Sequence, residues 1–205
     1  MAGIHPRITF SWQRQINIFY YGWAKIGMRT AILIFIGLLL SGYKWSGIEA
    51  LVWIHFILLL IHQYEEYVYP GGFKEYFNQT IASNFPAKGM VLNDKGIFIV
   101  NVLLAWTGYG VSAIGGYHLP LLIIGLLGVT ILNGLLHTTV FMIKREYNPG
   151  LISGMFLFIP FGIYFLIKMI RMAPGSLLPA TVVFVVCAAL IPVTIWMTGR
   201  IKTPE

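Results

Sequence analysis

His62, Glu65 and Glu66 stand close together in the stretch LLLIHQYEEYVYPGG, Leu58 to Gly72. Their spacings of three and four residues, at about 100° of rotation per residue, put all three side chains on one helix face. His55 lies seven residues before His62, on nearly the same stripe. A second polar face is written in LNGLLHTTVF, where Asn133 and His137 are four residues apart, and Asn101 interrupts GIFIVNVLLAW. Two neutral imidazoles and a carboxylate are a ligand set that Zn²⁺ accepts, with a coordination position left for water. His62 and Glu65 from one helix with His137 from another supply that set. Glu66 is then free to act as general base on a metal-bound water. Helix rotation decides which of the two carboxylates ligates, so the candidate ligands are His62, Glu65, Glu66 and His137. Zinc is favoured, with iron or manganese as alternatives. A carboxylate-bridged di-iron pair draws on four carboxylates and two histidines, and only Glu65 and Glu66 are evident, which favours one metal over two.

Supporting roles fall to residues nearby in the pattern. Asn101 and Asn133 are placed to orient ligands or hold a substrate oxygen. His55 reads as an interhelical hydrogen-bonder. Just beyond His137 comes KREYNPG, where Pro149 and Gly150 force a reversal. Glu146, Tyr147 and Asn148 in that turn are expected to cap the cytoplasmic mouth of the site.

The elements that must position these groups are membrane helices. Of 205 residues, 58 % are hydrophobic and only 10 % charged, and mean hydropathy is +0.78. A soluble domain carries about one quarter charged residues, so the chain reads as one all-α integral membrane domain, residues 1–205, a bundle of about six transmembrane helices. A span needs about 20 apolar residues. The stretches 24–43, 48–67, 97–114, 119–143, 151–170 and 177–197 meet that length or nearly so. Residues 1–23 mix aromatics with Arg7 and Arg14, as an interfacial segment does, and show no cleavable leader pattern. Cys187 is the only cysteine, so an intrachain disulfide is excluded. The net charge of +7 is scattered over the ends of apolar runs, which argues against a nucleic-acid partner.

Placing both termini inside leaves eleven Lys and Arg on the cytoplasmic side and only Lys44, Lys168 and Arg171 on the other. In that topology His62, Asn101 and His137 sit at one depth in the cytoplasmic leaflet. Charged groups in lipid cost about 2.5 kcal/mol or more each near the bilayer centre, so the polar faces must turn inward toward one another.

Taken together, H-x-x-E-E at His62–Glu66, a second histidine at His137 and Y-x-P-G at Tyr147–Gly150 resemble the HXXEE-domain family of small bacterial and archaeal membrane proteins. The resemblance covers about Trp53 to Gly150. It implies a multi-span layout, a prokaryotic plasma membrane and functional weight on the motif residues, and it implies no particular reaction.

The expected function is a metal-dependent membrane enzyme of hydrolase type, acting on a membrane lipid or apolar small molecule through a metal-bound water. Three other readings compete with it. They are metal-free proton transfer of the isomerase kind, metal-dependent oxidation of a hydrocarbon, and an ion-binding transporter. A transporter needs polar groups at several depths, and the outer half offers little beyond His55, Glu49 and Ser112.

Overall fold

A computed structural model of the chain describes residues 12–84 and 90–200. Seven helical elements follow in order: α1 (Trp12–Ser41), α2 (Ile48–Tyr67), α3 (73–84), α4 (Asp94–His118), α5 (Pro120–Lys144), α6 (Leu151–Met172) and α7 (Pro174–Gly199). No strand occurs among the described residues. All but α3 contain a stretch long and apolar enough to cross a membrane, and that of α1 begins at Phe19. The segment read as interfacial, residues 1–23, lies partly outside the described residues. From Trp12 onward it is helical and continuous with the first span.

α2 is the central helix. Its apolar window is 67 % buried, against 11 % for α7 at the edge. It packs on α1 and α4, while α5 packs on α6 and α7. Three apolar layers fill the bundle. Ile48, Val52, Ile123 and Phe165 pack at the N-terminal end of α2, Leu60, Leu126 and Phe158 in the middle, and Trp23, Ile97, Val102 and Ile195 toward the opposite end. At the centre α5 and α6 touch backbone to backbone. A Cβ on Gly134 would lie 2.6 Å from the carbonyl oxygen of Gly154, so only glycine permits this approach.

Two features depart from a bundle of regular helices. π-helical turns occur at Ile99–Trp106 in α4 and Gly154–Phe158 in α6. The first carries Asn101, and the second begins one residue after Ser153. Such turns re-aim side chains by one position and often sit beside functional groups. The polar connection after α2 is not open loop either. Residues 73–84 form helical turns, and Phe73 packs its ring 5.7 Å from that of His137, beneath the polar cluster.

Candidate metal centre

His62 and Glu66 lie one turn apart near the end of α2 and are 1 % and 4 % exposed. His137 reaches them from α5. Nε2 of His62 is 3.5 Å from Oε1 of Glu66, and Nε2 of His137 is 3.3 Å from the same oxygen. The three ligand-type atoms all lie within 4.8 Å of one another. A tetrahedral ion with bonds of about 2.0–2.2 Å holds its ligand atoms about 3.3–3.6 Å apart, so the two measured separations fit.

The far side of each ring fixes its tautomer. Ser153 has one hydroxyl proton, and it goes to the Glu65 carboxylate in a short hydrogen bond. The Ser153 oxygen must therefore accept from Nδ1 of His62, 2.8 Å away. In the same way the amide of Asn148 donates to the His137 carbonyl at 3.0 Å, which turns its oxygen toward Nδ1 of His137 at 2.6 Å. Both Nδ1 atoms are thus donors. A neutral imidazole so held offers a bare lone pair at Nε2. Nε2 of His62 is buried without a hydrogen-bond partner. Three lone-pair donors converge where a cation would satisfy them all. Orientation of ligand histidines through the other ring nitrogen is the usual outer shell of metal sites.

Glu65 is aimed elsewhere. Its carboxylate accepts from the backbone amides of Ile152 at 2.9 Å and Ser153 at 2.7 Å, from the Ser153 hydroxyl, and from Tyr147 at 2.9 Å. It caps the first turn of α6, whose amides have no partner within the helix. Of the two adjacent acids, Glu66 faces the imidazoles, while Glu65, expected as the ligand beside His62 and His137, holds α6 instead. The phenol of Tyr147, outside the spans, has its pKa raised by burial and by the hydrogen bond to Glu65.

The turn before α6 builds the floor. Gly150 has φ +97°, and a Cβ there would lie 2.6 Å from Cε1 of His137 and 2.9 Å from Cε1 of His62. The position demands glycine on both counts. Asn148 is buried behind His137, Tyr147 reaches Glu65, and Glu146 is exposed. Of the three residues expected to cap the mouth, two hold ligands or anchors. The charge of Glu146, after burial, raises the pKa of Tyr76.

His55 is outside the cluster. Its Nε2 bonds Thr130 at 2.7 Å, and Thr130 bonds the Tyr109 hydroxyl at 2.6 Å, an interhelical network between α2, α4 and α5. Asn101 receives the amide of Gln63 at 3.1 Å and donates to the Tyr67 hydroxyl at 3.3 Å, while Gln63 also accepts from Trp106 at 2.7 Å. Sequence reasoning missed Gln63, Tyr67 and Ser153. Gln63 lies inside the motif and Tyr67 follows it directly, a signal that was available; Ser153 had none, because its partners lie 91 and 88 residues away.

A cavity of about 480 Å³ opens beside the cluster, lined by Glu66, His137, Tyr67, Asn101, Asn133 and otherwise mostly apolar side chains. The fold and site define a polytopic helical membrane protein with a buried His–Glu–His cluster at the end of an apolar cavity. No curated protein and no solved structure matches the chain at a significant level. Residues 53–165 match the family described as "Protein of unknown function with HXXEE motif", and the chain belongs to that family. The matched region contains every residue of the cluster and its outer shell.

Proposed function

We propose that His62, Glu66 and His137 hold a divalent metal, zinc in first place, and that the protein is a metal-dependent membrane hydrolase acting on a lipid-like or apolar substrate. The single observation that carries this reading is the convergence of two Nε2 lone pairs on one carboxylate oxygen, with both Nδ1 atoms committed as donors. Without a cation or a proton between them, these acceptors would repel. A bound divalent ion supplies Lewis-acid polarisation and lowers the pKa of a bound water.

The chain's own residues supply the rest. Glu66 lines the cavity, and its oxygen not facing the imidazoles is assigned the role of taking a proton. The Tyr67 hydroxyl accepts from Asn101, which leaves its own proton free to donate to a developing oxyanion. Apolar walls admit the substrate and exclude water. A two-histidine, one-carboxylate set also suits the iron of hydrocarbon oxidation, so the identity of the bound metal separates hydrolysis from oxidation. The fixed tautomers favour a metal over proton shuttling by the same imidazoles. The distribution of Lys and Arg favours a topology with both termini and this end of α2 on the cytoplasmic side.

Elemental analysis of protein purified in detergent tests the metal. About one equivalent of zinc, iron or manganese in the wild type and none in His137→Ala supports the reading. A metal-free wild type that regains none on zinc addition rejects it.

A further inference from the structure

The cavity beside the cluster has a mouth, an unmet hydrogen-bonding demand and a charge pattern, and together they select a ligand. Its wall includes Leu132 and Leu136 of α5, 37 % and 58 % exposed, and Pro192 of α7, also exposed. These positions lie within stretches long and apolar enough to cross a membrane, and their exposure points to an opening toward lipid between α5 and α7. Deeper in, the amide oxygen of Asn133 and the hydroxyl of Tyr76 are buried without partners, and both residues line the cavity. Buried polar atoms left unsatisfied are costly, so a ligand that hydrogen-bonds them gains affinity. Asn133 lies one turn from His137, about 6 Å along the axis. Among the described residues lining the cavity there is no Lys or Arg, and Glu66 is the one charged group. A phosphate or diphosphate head would find no basic partner among those described residues. The volume suits one small ligand, in the range of about 300–1,000 Å³ for such pockets.

We propose that the cavity binds a neutral, single-chain amphiphile, with one alkyl or prenyl tail and an uncharged head carrying a hydroxyl or amide. It enters from the bilayer between α5 and α7 and places its head against Asn133, Tyr76 and Glu66. In naming this molecule the substrate class, the inference rests on the hydrolase reading; the binding itself needs only the cavity.

Photolabelling tests it. Full-length protein in lipid vesicles is irradiated with a diazirine-bearing 1-monooleoylglycerol, and the labelled peptides are mapped. Labelling concentrated on residues 129–140 and 188–195 is expected. A tenfold excess of monooleoylglycerol should compete it away, and the same excess of oleoyl lysophosphatidate should not. Leu136→Trp, at an exposed position, should cut labelling at least fivefold with zinc content unchanged, and Asn133→Leu should weaken competition by monooleoylglycerol. Labelling spread over all lipid-facing helices, indifferent to Leu136→Trp, or equally competed by the phosphate lipid would overturn the proposal. Specific labelling in a protein that holds no metal would instead fail the metal reading and leave this one standing.

Discussion

Oε1 of Glu66 lies 3.3 Å from Nε2 of His137, and with that ring neutral and its Nδ1 donating to Asn148, the ionised carboxylate and the ring have no hydrogen between their facing atoms. The acceptors need a shared positive charge. Glu66→Gln would put an amide donor against one Nε2 and satisfy it without any ion. It is therefore expected to lose bound zinc, at least tenfold in affinity, while remaining folded. Metal content and thermal unfolding, measured on the same preparation, separate the two effects; retained zinc would remove Glu66 from the ligand set.

Glu65→Gln should behave in the opposite way. It leaves the facing atoms in place and weakens the cap on α6, at a cost of about 1–3 kcal/mol for a buried acceptor whose donors lose their partner. The expected result is a lower unfolding temperature with metal still bound. Loss of metal at unchanged stability would mean that Glu65 ligates after all.

Ser153→Ala tests the outer shell. It removes the acceptor for Nδ1 of His62 without touching a ligand atom. Changes of this kind cost about 10–100-fold in metal affinity, to be read by chelator competition. No change would show that the His62 tautomer is not set by Ser153.

Tyr147 supplies a pH dependence. Its folded pKa is raised, so its contribution is complete below the unfolded value of about 10 and is lost as pH rises through the higher folded value. Tyr147→Phe should cost about 0.5–1.5 kcal/mol at pH 7, and the gap to wild type should narrow only in strongly alkaline solution. A gap that closes between pH 6 and 8 would contradict this assignment.

Thr130→Val removes the centre of the His55–Thr130–Tyr109 network and should cost about 1 kcal/mol. Zinc content should stay unchanged in this variant and in His55→Phe. A drop in metal content in either would bring His55 into the site.

Much of this architecture was legible in the sequence because the membrane leaves few choices. Long apolar runs must be helices there, and acids on such a run must turn inward. That reasoning singled out His62, Glu65, Glu66 and His137 as candidate ligands from their spacing and depth. The separate roles of Glu65 and Glu66 were not legible, since adjacent residues differ by about 100° of rotation and only the docked position of α6 decides which is turned toward it. The π-helical turn around Asn101 was invisible for a related reason: Ile99–Trp106 is uniformly apolar apart from Asn101, and the Gln63 amide that donates to the Asn101 carbonyl comes from another helix. Residues 73–84 look polar as a run, yet Phe73 and Phe77 fold back as cavity wall, a contact that composition does not reveal.

The capping of α6 by Glu65 has a consequence for biogenesis. The carboxylate emerges from the ribosome 88 residues ahead of Ser153, so the second helix enters the bilayer carrying its ionisable groups long before their long-range partners in the fourth and fifth spans exist. Until those spans arrive, this helix end must stay near the headgroups or be shielded by the insertion machinery. Chains halted before the fifth span is released should therefore be caught by quality control far more often than complete ones.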